Sequence, residues 1–179
     1  MELIEKALRI AATAHKDQVR KDDQSPYIVH PIMVGRILEQ YGFSESVVAA
    51  GLVHDVLEDS DISETTLHDE LGAEVVAIVT AVSEDTSLEW EDRKAAYVES
   101  VAAASEAIKA VSVADKIHNA RSLLAGHARD GVAVWTVFNR GKEKKLWFER
   151  MLCDRLRESW QHPLLDEYDK LVTQLEALD

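Results

Sequence analysis

A single cysteine, Cys153, in 179 residues excludes an intrachain disulfide and a thiolate zinc cluster, and fits a reducing compartment. Seven glycines and three prolines leave few places for turns, which at this length favours helices over many short strands. No stretch has the long uncharged apolar run that a membrane span needs. The opening residues, MELIEKALRIAATAHK, set Glu2, Glu5 and Lys6 among apolar neighbours. They read as an amphipathic helix, not a signal peptide, so a cytoplasmic location is expected. Cations are also in deficit: 20 Lys and Arg face 33 Asp and Glu, for a net charge of −13. That balance argues against non-specific nucleic-acid binding. It also means that a polyanionic ligand is repelled at long range unless a metal and a local cluster of Lys and Arg compensate.

What is present is enough apolar residue, 46%, to build a sizeable core, with no linker, repeat or low-complexity stretch. Residues 1–179 are therefore expected to form one all-α domain, a bundle of about eight to ten helices. The first helix is predicted from about Glu2 to Val19. A polar loop follows, in which Ser25-Pro26 and His30-Pro31 hold the preceding residues extended. Pro31 opens a second helix that ends at Gly42. Ser44 caps a third, which carries Val47, Val48, Leu52 and Val53 and runs on through His54 and Asp55. Asp61, in preference to Ser63, caps a short helix over 64–71. Further helices are predicted through Val75 to Val82, 91–103, 106–124, 142–159 and 164–177.

Three segments carry chemistry: His30-Pro31, His54-Asp55 with Glu58-Asp59, and Asp115 with His118 and Asn119. On a continuous third helix Glu58 lies one turn after His54, and Asp59 one turn after Asp55. One imidazole and three carboxylates then face one region, with Asp115 and Asn119 paired similarly on the long helix. Such acids among apolar residues repel one another unless a cation intervenes. Imidazole with carboxylate suits Mn, Fe, Zn or Ni more than Ca or Mg. Four protein ligands leave room for water, which a metal makes acidic enough to be a nucleophile near neutral pH.

The order H…HD…D resembles the HD-domain phosphohydrolase superfamily. RKxxxxPYxxHP, HDxxEDS and VADKIHNARS further resemble the hydrolase domain of RelA/SpoT-type enzymes, from about Ala7 to Leu171. The resemblance implies a stand-alone small alarmone hydrolase that removes the 3′-pyrophosphate of ppGpp and pppGpp with a metal-activated water. It implies one Mn²⁺ on His30, His54, Asp55 and Asp115, and Glu58 and Asp59 as the catalytic acids. It also implies substrate contacts from Arg20, Lys21, Tyr27 and Asn119, either Arg20 or Lys21 meeting the base. The clusters RK at 20–21, DRK at 92–94 and GKEKK at 141–145 add Arg93, Lys94, Lys142, Lys144 and Lys145, with Trp147, as candidates for the phosphates. His15 and His118 are expected near the site; His68, His127 and His162 are read as surface residues. Removal of the 2′-phosphate from NADPH and non-catalytic alarmone sensing remain alternatives, and a homo-oligomer stays open. The expected partner is a guanosine polyphosphate, with neither nucleic acid nor membrane.

Overall fold

Leu3, Ala7, Ile10, Ala11 and Ala14 recur at helical spacing and turn one face of α1 (Leu3–Ala14) onto the core. The computed structural model describes residues 2–21, 23–85 and 87–179; Met1, and Asp22 and Thr86 within the expected loops, lie outside that range. α1 stops five residues before the predicted Val19. The following chain pairs instead with the incoming loop: Val19 bridges Pro26, the Arg20 amide donates to Ser25 O at 2.8 Å, and the Tyr27 amide donates to Gln18 O at 2.9 Å. Among the described residues no strand forms beyond this isolated bridge.

α2 (Val29–Gln40) begins earlier than predicted, so His30 is helical where an extended residue was expected. Pro31 falls in the first turn, where its missing N–H has no intrahelical partner to lose. Burial of His30 against His54 and His118 outweighs the pre-proline preference.

α3 (Glu45–Leu52) does not run through His54 and Asp55 as predicted. The chain tightens there, with amide bonds from Val53 to Ala50 O and from Val56 to Val53 O, before a single helical turn, α4 (Val56–Asp59). α5 (Glu64–Leu71) is capped by Ser63 and not Asp61: Ser63 Oγ accepts the Thr66 amide at 3.2 Å. Gly72, at φ +88°, turns the chain into α6 (Ala73–Val82). α7 (Trp90–Ala103) leads to α8 (Glu106–Asp130), which outruns the predicted end at Leu124. A 3₁₀ helix, Gly131–Val137, absent from the sequence expectation, connects to α9 (Gly141–Arg157) and α10 (Pro163–Glu176).

α8 is the axis, in contact with α2, α3, α6, α7 and α10. Val34, Leu38, Val53, Val79, Val113, Ile117, Leu152 and Leu165 are buried around it. α2 and α3 approach closely through glycine: a Cβ on Gly35 would lie 2.7 Å from Leu52 Cδ2, and one on Gly51 would collide with Leu38. A smaller cluster of Leu123, Val134, Trp135 and Leu175 anchors the 3₁₀ segment. The chain's chemistry thus sits where α2, the α3–α4 break and the middle of α8 meet.

Candidate active site

The break after α3 creates the centre. In a continuous helix the Gly51 carbonyl would accept a backbone amide; here it accepts the ring hydrogen of His54 Nδ1 at 2.8 Å. This fixes the His54 tautomer and leaves the Nε2 lone pair free. His30 Nδ1 lies 2.7 Å from His118 Nδ1, so one ring must donate to the other. With the hydrogen on His30 Nδ1, its Nε2 is also a lone pair. The two Nε2 atoms face one another at 3.2 Å. Asp115 Oδ1 is 3.1 Å from His30 Nε2 and 3.8 Å from His54 Nε2. Asp55 Oδ2 is 3.5 and 3.1 Å from the same two atoms. His30, His54 and Asp115 offer ligand atoms that all lie within 4.8 Å of one another.

Neighbours orient the carboxylates. Tyr27 donates its hydroxyl to Asp55 Oδ2, Asn119 Nδ2 donates to Asp115 Oδ1, and Lys116 Nζ donates to Asp115 Oδ2, each at 2.6 Å. Burial opposes charge on His54, but Asp55 and Asp115 outweigh it and raise its pKa well above the ordinary value. Burial likewise opposes charge on both aspartates, yet His54 beside Asp55, and Lys116 with His30 beside Asp115, hold both carboxyls low. Burial lowers the pKa of His30, and burial with the neighbouring His30 and Arg20 lowers that of His118 to about 4. The centre stabilises one concentrated positive charge between two imidazoles and two carboxylates, and a divalent transition-metal cation fits that donor set.

Glu58 and Asp59 lie on α4, set off from His54 by the break and not one turn along the same helix. Asp59 does keep its turn from Asp55, through an amide bond to Asp55 O of 2.9 Å. Glu58 Oε1 accepts the Glu84 amide at 2.9 Å. Desolvation, reinforced by Asp55, raises the pKa of both acids.

Two adjoining cavities share Val137, Phe138 and Lys145. One, of about 340 Å³, is lined by Arg20, Lys21, Tyr27 and Asn119; the other, of about 560 Å³, by Arg93, Lys94, Lys116 and Arg140. Arg20 donates to Asn119 Oδ1 at 3.1 Å and lies over the Tyr27 ring. Arg93 and Lys94 both pair with Glu84. Lys142 and Lys144 are placed elsewhere: Lys142 donates to Leu178 O at 2.5 Å, and Lys144 pairs with Glu91 at 3.3 Å beside Trp147. Of the three candidate lysines in this cluster, Lys145 is the one that lines the groove. It pairs with the buried Glu149, so its ammonium is held in place.

The HD-domain profile matches residues 7–141. The chain belongs to the HD-domain family. This HD domain is 40% identical over 119 residues to guanosine-3′,5′-bis(diphosphate) 3′-pyrophosphohydrolase MESH1 of Drosophila melanogaster, a match that covers 65% of the chain and 66% of that relative. The human enzyme of the same name is 42% identical over 122 residues, with 65% of the chain and 67% of the relative covered. The matched region thus spans about two thirds of these relatives. Among solved structures, a metazoan SpoT orthologue described as hydrolysing ppGpp superposes with a TM-score of 0.81 at 30% identity, covering 97% of this chain and 96% of that one. The protein lmo0812 of Listeria monocytogenes gives 0.77 at 35% identity, with 82% and 97% covered.

Two further residues enter the HD-domain site from the structure. Lys116 follows Asp115 and was hidden among helix cations, although an apolar run ending in Asp-Lys signals burial of both. Arg140 sits just before the left-handed Gly141. His15, expected near the site, is buried against Tyr27, with ring centroids 4.9 Å apart. Two histidines expected at the surface are half-buried. His162 stacks on Trp160 and caps α10, and His127 Nε2 has no partner among the described residues. His68 is exposed.

Proposed function

We propose that residues 1–179 act as a single catalytic unit that hydrolyses ppGpp and pppGpp to GDP or GTP plus pyrophosphate. In this reading Mn²⁺ is held by His30, His54, Asp55 and Asp115. The observation that carries it is the meeting of four convergent acceptors, two raised-pKa carboxylates and a basic groove within one face of a strongly acidic protein. The names of the relatives support the guanosine polyphosphate as substrate.

Each group of residues has a task. A bound divalent ion supplies Lewis acidity, acidifying water and polarising a phosphoryl oxygen. Glu58 and Asp59 orient the attacking water and accept its proton, which their raised pKa values suit. Arg20, Lys21, Tyr27 and Asn119 hold the nucleoside; both cavities fall in the roughly 300–1,000 Å³ range of small-molecule sites. Arg93, Lys94, Lys116 and Lys145 offset phosphate charge. Burial and the neighbouring Lys116 ammonium lower the pKa of Lys94, as expected where cations are crowded for an anion. The reduced, buried Cys153 fits action in the cytoplasm.

A nucleotide panel tests the reading. With Mn²⁺, purified protein is expected to release pyrophosphate from ppGpp and pppGpp. Orthophosphate from NADPH with ppGpp untouched would replace the substrate, and tight ppGpp binding without turnover would make the protein a sensor.

A further inference from the structure

His15 and Gln18 form a clamp between the end of α1 and the acid-bearing turn α4. Gln18 Nε2 donates to the carbonyl of Asp59 at 2.7 Å, across 41 residues of sequence. A carbonyl only accepts, so this bond fixes which end of the amide faces α4. Gln18 Oε1 must then face His15 Nδ1, 2.8 Å away, and the imidazole must carry its hydrogen on Nδ1. The cost is visible on the other ring nitrogen. His15 is 1% exposed, and its Nε2 has no hydrogen-bond partner among the described residues. A buried orphan acceptor is destabilising, so an apolar residue would serve packing better.

The clamp also reaches the opposite side of the centre. The His15 ring packs on Tyr27, whose hydroxyl orients Asp55, and the Gln18 carbonyl accepts the Tyr27 amide. The Gln18 side chain thus holds the Asp59 carbonyl, while the His15 ring and the Gln18 backbone carbonyl hold Tyr27. α4 has a single turn and cannot hold itself rigid. Two further bonds tether it: Ser60 Oγ donates to Val56 O at 2.7 Å, and the Glu84 amide donates to Glu58 Oε1 at 2.9 Å, which leaves Gln18 as the side chain that grips the Asp59 backbone from outside the turn.

We infer that His15 and Gln18 are positioning residues for the hydrolytic reaction, with His15 setting the Gln18 amide and Gln18 holding the Asp59 backbone so that its carboxyl meets the attacking water. This rests on the catalytic reading of Asp59. Neither residue lines the two cavities assigned to the nucleotide.

A double-mutant cycle with metal analysis tests it. Gln18→Met is nearly isosteric and lacks the donor; His15→Leu removes the donor to Gln18, and His15→Asn keeps one where Nδ1 stood. Gln18→Met and His15→Leu are expected to lower kcat for ppGpp by about tenfold to a hundredfold, the scale of a small misplacement. KM and bound Mn²⁺ should stay at wild-type values, and His15→Asn should restore most of kcat. Asp59→Asn with Gln18→Met should be no slower than Asp59→Asn alone. Unchanged kcat in Gln18→Met, losses that multiply in the double variant, loss of metal, or failure of His15→Asn to rescue would each overturn the inference. Wild-type turnover in Asp59→Asn would instead remove the catalytic reading of Asp59, and this inference with it.

Discussion

His30 Nε2 and His54 Nε2 face each other at 3.2 Å inside the protein, and in the neutral rings, with hydrogens on His30 Nδ1 and His54 Nδ1, each of these nitrogens is a lone pair. Two acceptors at that distance repel, and Asp55 and Asp115 bring two more. A cation shared by all four removes the conflict.

Asp55→Ala is therefore expected to abolish binding of the roughly one Mn²⁺-class ion per chain. Tyr27→Phe removes only the hydroxyl that orients Asp55, and should weaken metal about tenfold to a hundredfold. Metal analysis of the purified variants checks both; equal occupancy in wild type and Asp55→Ala would exclude Asp55 as a ligand.

The convergence of His30, His54, Asp55 and Asp115 was legible in the sequence because HD and D stand in apolar surroundings, where Val53, Val113 and Ala114 are buried. The local geometry was not. Periodicity carried α3 through His54, since nothing in GLVHDV signals that backbone bonds tighten there and release the Gly51 carbonyl to an imidazole. The true ends of α1 and α8 were hidden for related reasons. α1 ends where Val19 finds a partner seven residues on, and α8 continues because Leu123 and Gly126 pack against later chain. Among the C-terminal lysines, spacing could not show that Lys145 alone turns toward the groove and its neighbours toward Leu178 and Glu91.

That distinction gives a kinetic expectation. Lys145→Ala and Arg20→Ala should raise KM for ppGpp several-fold or more, because both line the cavities. Lys144→Ala should leave KM unchanged. Lys145→Ala should also lower Tm, since it strips the buried Glu149 of its cation. Equal KM effects from Lys144 and Lys145 would remove Lys145 from the substrate site.

The raised carboxyl pKa values set the acid limb of the rate profile and a stability effect of opposite sense. The proposed role of Glu58 and Asp59 as proton acceptors needs their ionised forms, so kcat/KM should fall on the acid side with an apparent pKa above the ordinary 4.5 of glutamate. A carboxyl raised in the folded state binds protons more tightly there than when unfolded. Its contribution to stability is therefore lost as pH rises from the unfolded value, 3.8 for Asp59 and 4.5 for Glu58, to the raised folded one. At neutral pH, Glu58→Gln and Asp59→Asn should raise Tm in metal-free protein while lowering kcat roughly a hundredfold or more. Thermal melts at pH 4 and pH 7 check the sign; amide variants less stable at pH 7 would contradict it.

Gly51 joins packing to chemistry, because a side chain there meets Leu38 and Val34 on the face that brings α2 to α3. Gly51→Val is expected to cost about 1–3 kcal/mol, the usual scale of overpacking. Its carbonyl also holds His54, so metal affinity should fall with stability. Denaturant unfolding and metal titration on the same sample would show the coupling; a destabilised variant with wild-type metal affinity would refute it.

In the proposed reaction water attacks the phosphorus bonded to the ribose 3′-oxygen, and the bond to that oxygen breaks. Hydrolysis of ppGpp in ¹⁸O-labelled water, with products resolved by mass spectrometry, reads this directly. The predicted result is one ¹⁸O in pyrophosphate and none in GDP. Orthophosphate carrying the label, together with a nucleotide that keeps a 3′-phosphate, would contradict the account.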